Sequence, residues 1–165
     1  MQKIQVGLGG RNADCSYRKL QENDAEVTLS LGAALMDPVQ LVRSFLAAME
    51  ARDIALAQSF LADGFEMTFP GTAPMHKLQE LIAWSAPRYK FVTKTYDGFD
   101  AMPSERNAAI VYCHGSLSGE WPDGTAFEGI RFIDRFEVVA DKLIKQEVWN
   151  DIAETKANAR WKLTQ

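Results

Sequence analysis

Cysteine is scarce in this chain: Cys15 and Cys113 are the only two among 165 residues. They lie far apart and outside any Cys-x-x-Cys or Cys/His spacing, so neither a disulfide framework nor a metal-ligand set is expected, and reduced thiols in a cytosol fit best. Histidine is equally scarce, with His76 and His114 alone. No metal and no cofactor is implied. No apolar run reaches the roughly 20 residues that span a bilayer. The run from Leu29 to Met36 follows Glu22, Asp24 and Glu26 rather than a basic cluster, which argues against a secretory signal. Positive charge is also lacking: the net charge is −4, and the 18 Lys and Arg residues are scattered. That leaves no footprint for a phosphate backbone. Nucleic acid and membrane are therefore not expected as partners, and a cytoplasmic location is. What the chain does hold is apolar material, 47% of its residues, enough for one domain with its own core.

Residues 1–35 match nothing that follows. Gly7, Gly9 and Gly10 in GLGGRN lack the third glycine and the apolar helix of a nucleotide loop, so this segment reads as a flexible extension. At Asp37-Pro38 the pattern changes. An N-cap acid and an N1 proline open a helix that carries Val39, Val42, Phe45, Leu46 and Met49 on one face. Asp53 caps a second helix, expected to run through Leu61 and to stop at Asp63-Gly64. Phe65, Met67 and Phe69 alternate as a short strand ended by Pro70-Gly71, and a third helix is expected from about Met75 to Ser85, before Pro87. Four strand-like runs follow, about Tyr89–Ala101, Asn107–Gly119, Ala126–Val139 and Leu143–Asp151. This order gives an α+β domain over residues 36–155, with a meander sheet under helices and a tail at 156–165.

Side-chain alternation sets the pairing. A two-residue turn at Asp123-Gly124 places Val111 opposite Phe136, Cys113 opposite Asp134, Gly115 opposite Phe132 and Leu117 opposite Ile130, so apolar residues meet on one face. Asp134 is the one carboxylate on that face of IRFIDRF. Continuing through a turn at Ala140-Asp141 pairs Asp134 with Glu147 and Phe132 with Trp149, and brings two acids to roughly 5 Å. Small residues at Cys113 and Gly115 would leave room beside them for a pocket. Adjacent carboxylates in a dry site resist double ionisation, so the pair could share a proton near neutrality, unless Lys145 neutralises them at a wetted sheet end.

The element order, the FPG after the first strand, RFIDRF and the terminal VWND together resemble the nuclear transport factor 2-like (NTF2-like) superfamily, particularly its SnoaL-like members, over residues 37–154. The resemblance implies a cystatin/NTF2-like curved antiparallel (mixed) sheet with three helices on its concave face, forming a cone-shaped pocket. It does not imply one activity. Where ketosteroid isomerases of the superfamily carry Tyr and Asp, this chain has Phe45, Phe69 and Phe132, which can neither take nor donate a proton. Arg131 and Asp134 lack the spacing of the epoxide-hydrolase-like members, and His76 and His114 make no dehydratase pair. The SnoaL-like pattern fits best, with Asp134 as acid–base residue and Glu147 as its pKa partner. The ligand would be lined by Phe45, Phe69, Trp84, Cys113, Leu117, Phe132, Phe136 and Trp149, with Tyr96, Trp84 and Trp121 available to close the mouth. The expected function is a cofactor-independent isomerase, cyclase or lyase acting on a small apolar or aromatic, carbonyl-bearing or cyclic ligand. The alternatives are a non-catalytic small-ligand-binding protein and a dimerisation module. A homodimer is expected through the outer sheet face, with Ile110, Tyr112, Ile133 and Val148 as its apolar residues.

Overall fold

The computed structural model describes residues 36–104 and 108–162, with side chains through residue 158. The expected N-terminal extension, its glycines and Cys15 lie outside the described residues. Met36–Gln165 forms one compact unit.

Helix α1 (Pro38–Glu50) begins where Asp37 and Pro38 predict it: Asp37 Oδ1 accepts from Val39 N at 3.3 Å. Its stripe of Leu41, Val42, Phe45, Leu46 and Ala48 is buried. Asp53 Oδ1 caps α2 (Ile54–Ser59) through Leu56 N at 2.9 Å. This helix ends two residues before the expected Leu61, because the sheet claims the chain: Phe60 O accepts from Leu143 N at 2.9 Å, and Leu61 already pairs with Leu143. Strand β1 (Leu61–Thr68) therefore contains Asp63-Gly64 rather than starting after it. Helix α3 (Leu78–Ser85) starts later than Met75, since Met75 and Met67 exchange both backbone hydrogen bonds at 2.8 Å. Glu80 then accepts from His76 N and Lys77 N at 2.7 and 3.1 Å, filling the exposed donors of the helix start.

The sheet has the order β1-β5-β4-β3-β2, with β2 (Phe91–Pro103), β3 (Ala109–Glu120), β4 (Ala126–Val139) and β5 (Lys142–Asn150) as an antiparallel meander. Strand β1 joins β5 in parallel, so the sheet is mixed and curved beneath the helices.

The β3–β4 register is the expected one at Val111–Phe136, Cys113–Asp134, Gly115–Phe132 and Leu117–Ile130. It is reached by two compensating steps. The loop is closed by Trp121 N donating to Thr125 O at 2.8 Å around Pro122-Asp123-Gly124, one residue longer than the expected turn. A bulge at Gly129, whose φ of 71° suits glycine, then restores the alignment.

The β4–β5 register departs from expectation after one pair. Ala140 and Asp141 make the turn with φ of 47° and 58°, and Val138 faces Leu143. The register then shifts, so that Glu137 faces Lys145, Phe136 faces Gln146, Arg135 faces Glu147 and Asp134 faces Val148. One extra residue in β5 sends every later side chain to the opposite face.

Beyond β5 the chain forms a further helix, α4 (Ile152–Lys162), where a tail was expected from residue 156. Asn150 Oδ1 accepts from Ile152 N at 3.2 Å, and Asp151 N donates to Arg131 O at 3.1 Å, fastening the helix start to β4. Ile152 packs on the core. No described helix is long and apolar enough to cross a membrane.

Candidate functional site

Helices α1 and α3 and the curved sheet line a half-open cavity of about 280 Å³. One wall is Phe45, Leu46 and Met49 of α1, and another is Leu81, Ile82 and Ser85 of α3 with Tyr89. Phe69 follows β1, Val92, Lys94 and Tyr96 come from the inner face of β2, and Gln146 comes from β5. Glu50, the last residue of α1, and Arg52 just after it add charge to the lining. The wall is mostly apolar, with a few polar groups gathered where Lys94 meets Gln146, the usual build of a small-molecule pocket.

Lys94 forms an ion pair with Asp134 Oδ2. The two partners differ in their access to water: the Asp134 side chain is 0% exposed and that of Lys94 is 23% exposed. The ammonium lies over the Phe132 ring, 4.4 Å from its centroid. It starts opposite Leu117 on β3 and reaches Asp134 on β4, one strand beyond its neighbour. Gln146, 3% exposed, turns its Nε2 toward Asp134 Oδ2 at 3.5 Å. Gln146 Oε1 and Asp134 Oδ1 have no hydrogen-bond partner among the described residues.

Glu147 is not beside Asp134. The register shift in β5 places it on the outer face, where its Oε2 accepts from Arg135 Nη1 at 2.8 Å and its Oε1 lies 3.3 Å from Lys145. The expected pair of carboxylates is thus corrected to a carboxylate and an ammonium, with Val148 in the ladder position expected for Glu147 and Gln146 beside it on the same face. Trp149 turns outward by the same shift and is 49% exposed, so it is no wall of this cavity. It borders a separate groove with Pro70 and Asp151.

Of the other expected lining residues, the structure places Phe45 and Phe69 on the cavity. Trp84 stands behind Phe69, with ring centroids 5.3 Å apart. Phe136, Cys113, Leu117 and Phe132 are core residues that do not line it. The space expected beside Gly115 is filled by β2: a Cβ there would come within 2.0 Å of Thr95 O and 3.0 Å of Tyr96 Cα. Tyr96 lines the cavity and contacts Phe132 edge-on at 5.8 Å. Trp121 stacks on Phe127 at 4.1 Å, with Lys156 Nζ 4.3 Å from its ring. His76 bonds Phe65 O through Nδ1 at 3.1 Å, and His114 faces Gly98 and Ile133 across the ladders.

Burial raises the pKa of Tyr96, with the charges of Cys113 and Asp134 adding to the effect. It likewise pushes the Cys113 thiol up to about 12, reinforced by Asp134. Both groups hold their protons at neutral pH. Among the described residues no group of three His, Cys, Asp or Glu side chains could hold a metal ion.

Lys94 was missed from sequence, although a signal existed. Val92, Lys94 and Tyr96 share one strand face, and a lysine between two apolar neighbours calls for a buried anion. Its partner is 40 residues away, and no local pattern connects them.

No protein-family model matches this sequence, and no curated protein sequence matches it significantly. Solved structures do match in shape. An NTF2-like protein of unknown function from Burkholderia pseudomallei is 18% identical, with 70% of this chain covering 92% of that one at a TM-score of 0.59. TerC co-crystallised with polyporic acid is 12% identical, with coverages of 72% and 95% and a TM-score of 0.57. The orange carotenoid protein of Anabaena binding canthaxanthin is 13% identical, with 68% of this chain matching 35% of that chain at a TM-score of 0.56. At such identities the likeness is one of fold, and the fold is NTF2-like.

Proposed function

We propose, from an NTF2-like fold whose cavity is mostly apolar and holds Lys94 and Gln146 together in its wall, that this chain binds a small apolar molecule and holds an oxygen of it on the Lys94 ammonium. The observation that carries this reading is the asymmetry of the ion pair. Asp134 is fully enclosed while Lys94 lines the cavity, so the ammonium is the member a ligand meets. Asp134 acts as its counter-ion and positions it. Two proteins of the same fold hold small organic ligands, canthaxanthin and polyporic acid, which supports a pocket role here.

A titration with 8-anilinonaphthalene-1-sulfonate, an aromatic anion, tests the reading. Saturable binding is expected at one site per chain, abolished when Leu81→Trp fills the cavity and weakened about tenfold in Lys94→Met, the worth of one charge-assisted hydrogen bond. Binding indifferent to both substitutions would overturn it.

A catalytic version has one observation in its favour. An ammonium in an apolar cavity stabilises the negative charge that develops on a carbonyl oxygen when a proton leaves the adjacent carbon, as an isomerase, cyclase or lyase requires. The base would be Glu50, the only carboxylate among the described lining residues. Turnover of a bound carbonyl compound that survives Glu50→Gln would exclude that version.

The outer sheet face is the surface proposed for a second copy of the chain. The register shift removes Val148, 7% exposed, from the expected patch and puts Trp149 there, directly opposite Ile133, which is 38% exposed. Sedimentation equilibrium of Trp149→Lys should then show a monomer, and an unchanged dimer mass would exclude this face.

A further inference from the structure

The polar cluster holds more information than the ammonium alone, and the inference below rests on the pocket reading just given. Gln146 lines the cavity at 3% exposure, and the orientation of its amide is settled by its neighbour. The group facing Asp134 Oδ2 at 3.5 Å is Nε2. Turned over, the amide would set Oε1 against a carboxylate oxygen, acceptor against acceptor. The carboxylate therefore fixes Oε1 as the free end, and Oε1 is a buried acceptor with no donor among the described residues. Beside it stands Lys94, whose ammonium has three protons and spends one on Asp134. Lys94 thus keeps two protons for a ligand, and Gln146 Oε1, closed to water in this structure, becomes an acceptor for one once its side chain turns into the cavity.

We infer that the ligand carries a hydroxyl group on a flat apolar skeleton, as in a phenol or an enol. Its oxygen accepts from Lys94 Nζ and its proton is donated to Gln146 Oε1. A ketone, an ether or a carboxylate can take the Lys94 proton but brings nothing for Oε1, and a desolvated acceptor left unpaired penalises binding. An amine brings a proton but sets a second cation beside Lys94. The hydroxyl is the simplest single group that satisfies both ends at once. A cavity of about 280 Å³ suits a bicyclic skeleton.

Calorimetric titration of the full chain with 2-naphthol, 2-methoxynaphthalene and 2-naphthoate tests this. The expected result is that 2-naphthol binds at least about tenfold more tightly than its methyl ether, and that the difference collapses in Gln146→Leu. Gln146→Met, closer in shape, repeats the measurement if the leucine variant fails to show a native melting transition. Equal binding of naphthol and ether, or a hydroxyl preference that persists without the Gln146 amide, overturns the hydroxyl assignment. If 2-naphthoate binds in a Lys94-dependent manner while naphthol holds no advantage over the ether, the hydroxyl assignment falls and the pocket reading stands. If none of the three binds, both fall.

Discussion

Asp134 and Lys94 carry opposite charges but stand differently toward water, and that difference predicts how each responds to substitution. Removing the cation leaves a carboxylate that is 0% exposed and has no other ion-pair partner among the described residues, whereas removing the anion leaves an ammonium that can turn into the cavity. Breaking a buried pair costs about 3–5 kcal/mol when the stranded charge cannot escape, and less when it can. In urea unfolding, Lys94→Met should therefore destabilise the fold by about 3 kcal/mol or more and Asp134→Asn by about 1–2 kcal/mol, with the double variant Lys94→Met/Asp134→Leu recovering much of the loss. Equal costs for the two single variants would show that the carboxylate reaches water. Cys113 shares this dry region at 0% exposure, and burial holds its thiol protonated. Since the thiolate is the nucleophile, Cys113 should resist iodoacetamide in the native protein and react on unfolding, as peptide mass spectrometry of the alkylated site would show. Rapid native labelling would contradict the packing described here.

At the scale of elements, the bulge in β5 decides more than any one side chain. It sends Glu147 to the outer face, into a partly wetted array with Arg135 and Lys145. Ion pairs of that kind contribute roughly 0–1 kcal/mol. Glu147→Gln should accordingly change stability by less than about 1 kcal/mol and leave pocket binding unaltered, the opposite of what its expected place beside Asp134 would require. Gly115 behaves differently. Strand β2 lies so close over it that a methyl group would meet Thr95 O at 2.0 Å. Backbone cannot yield as a side-chain end does. Gly115→Ala should cost about 2 kcal/mol or more, within the range for overpacking. A melting temperature unchanged from the parent would show that β2 can move aside.

For the molecule as a whole, titration reveals how much depends on enclosure. Tyr96, Tyr89 and Cys113 are neutral acids whose pKa values burial raises in the folded state. The unfolded chain releases these protons first, from about the ordinary 9.0 of the thiol and 10.0 of the phenols, so it binds fewer protons than the folded chain in that range. Their stabilisation is therefore complete below pH 9.0 and declines as the pH rises further. Thermal melts taken upward from that pH should show a falling midpoint, with a shallower fall in Tyr96→Phe, which removes one of the three titrations.

The sequence by itself determined most of the elements, though not helix α4, together with the β3–β4 register and the isolation of Asp134 on an apolar face. Each of these is written in local signals: Asp37-Pro38 and Asp53 as caps, and period-two alternation along β3 and β4, where a slip would bury charge. It also determined which side chains could meet on that face, without determining which of them do. The partner of Asp134 was decided in three dimensions. Only the assembled sheet shows that one extra residue after Leu143 puts Val148 opposite Asp134 with Gln146 beside it on the same face, and that Lys94 crosses to an acid on a strand beyond its neighbour. Residues 143–150 are permissive in either register, because Ile144 and Trp149 are as apolar as Leu143 and Val148, so alternation in that strand does not choose a face. The choice falls to the burial of Asp134, which requires an opposite charge and finds it 40 residues away, a distance in sequence that no local pattern spans.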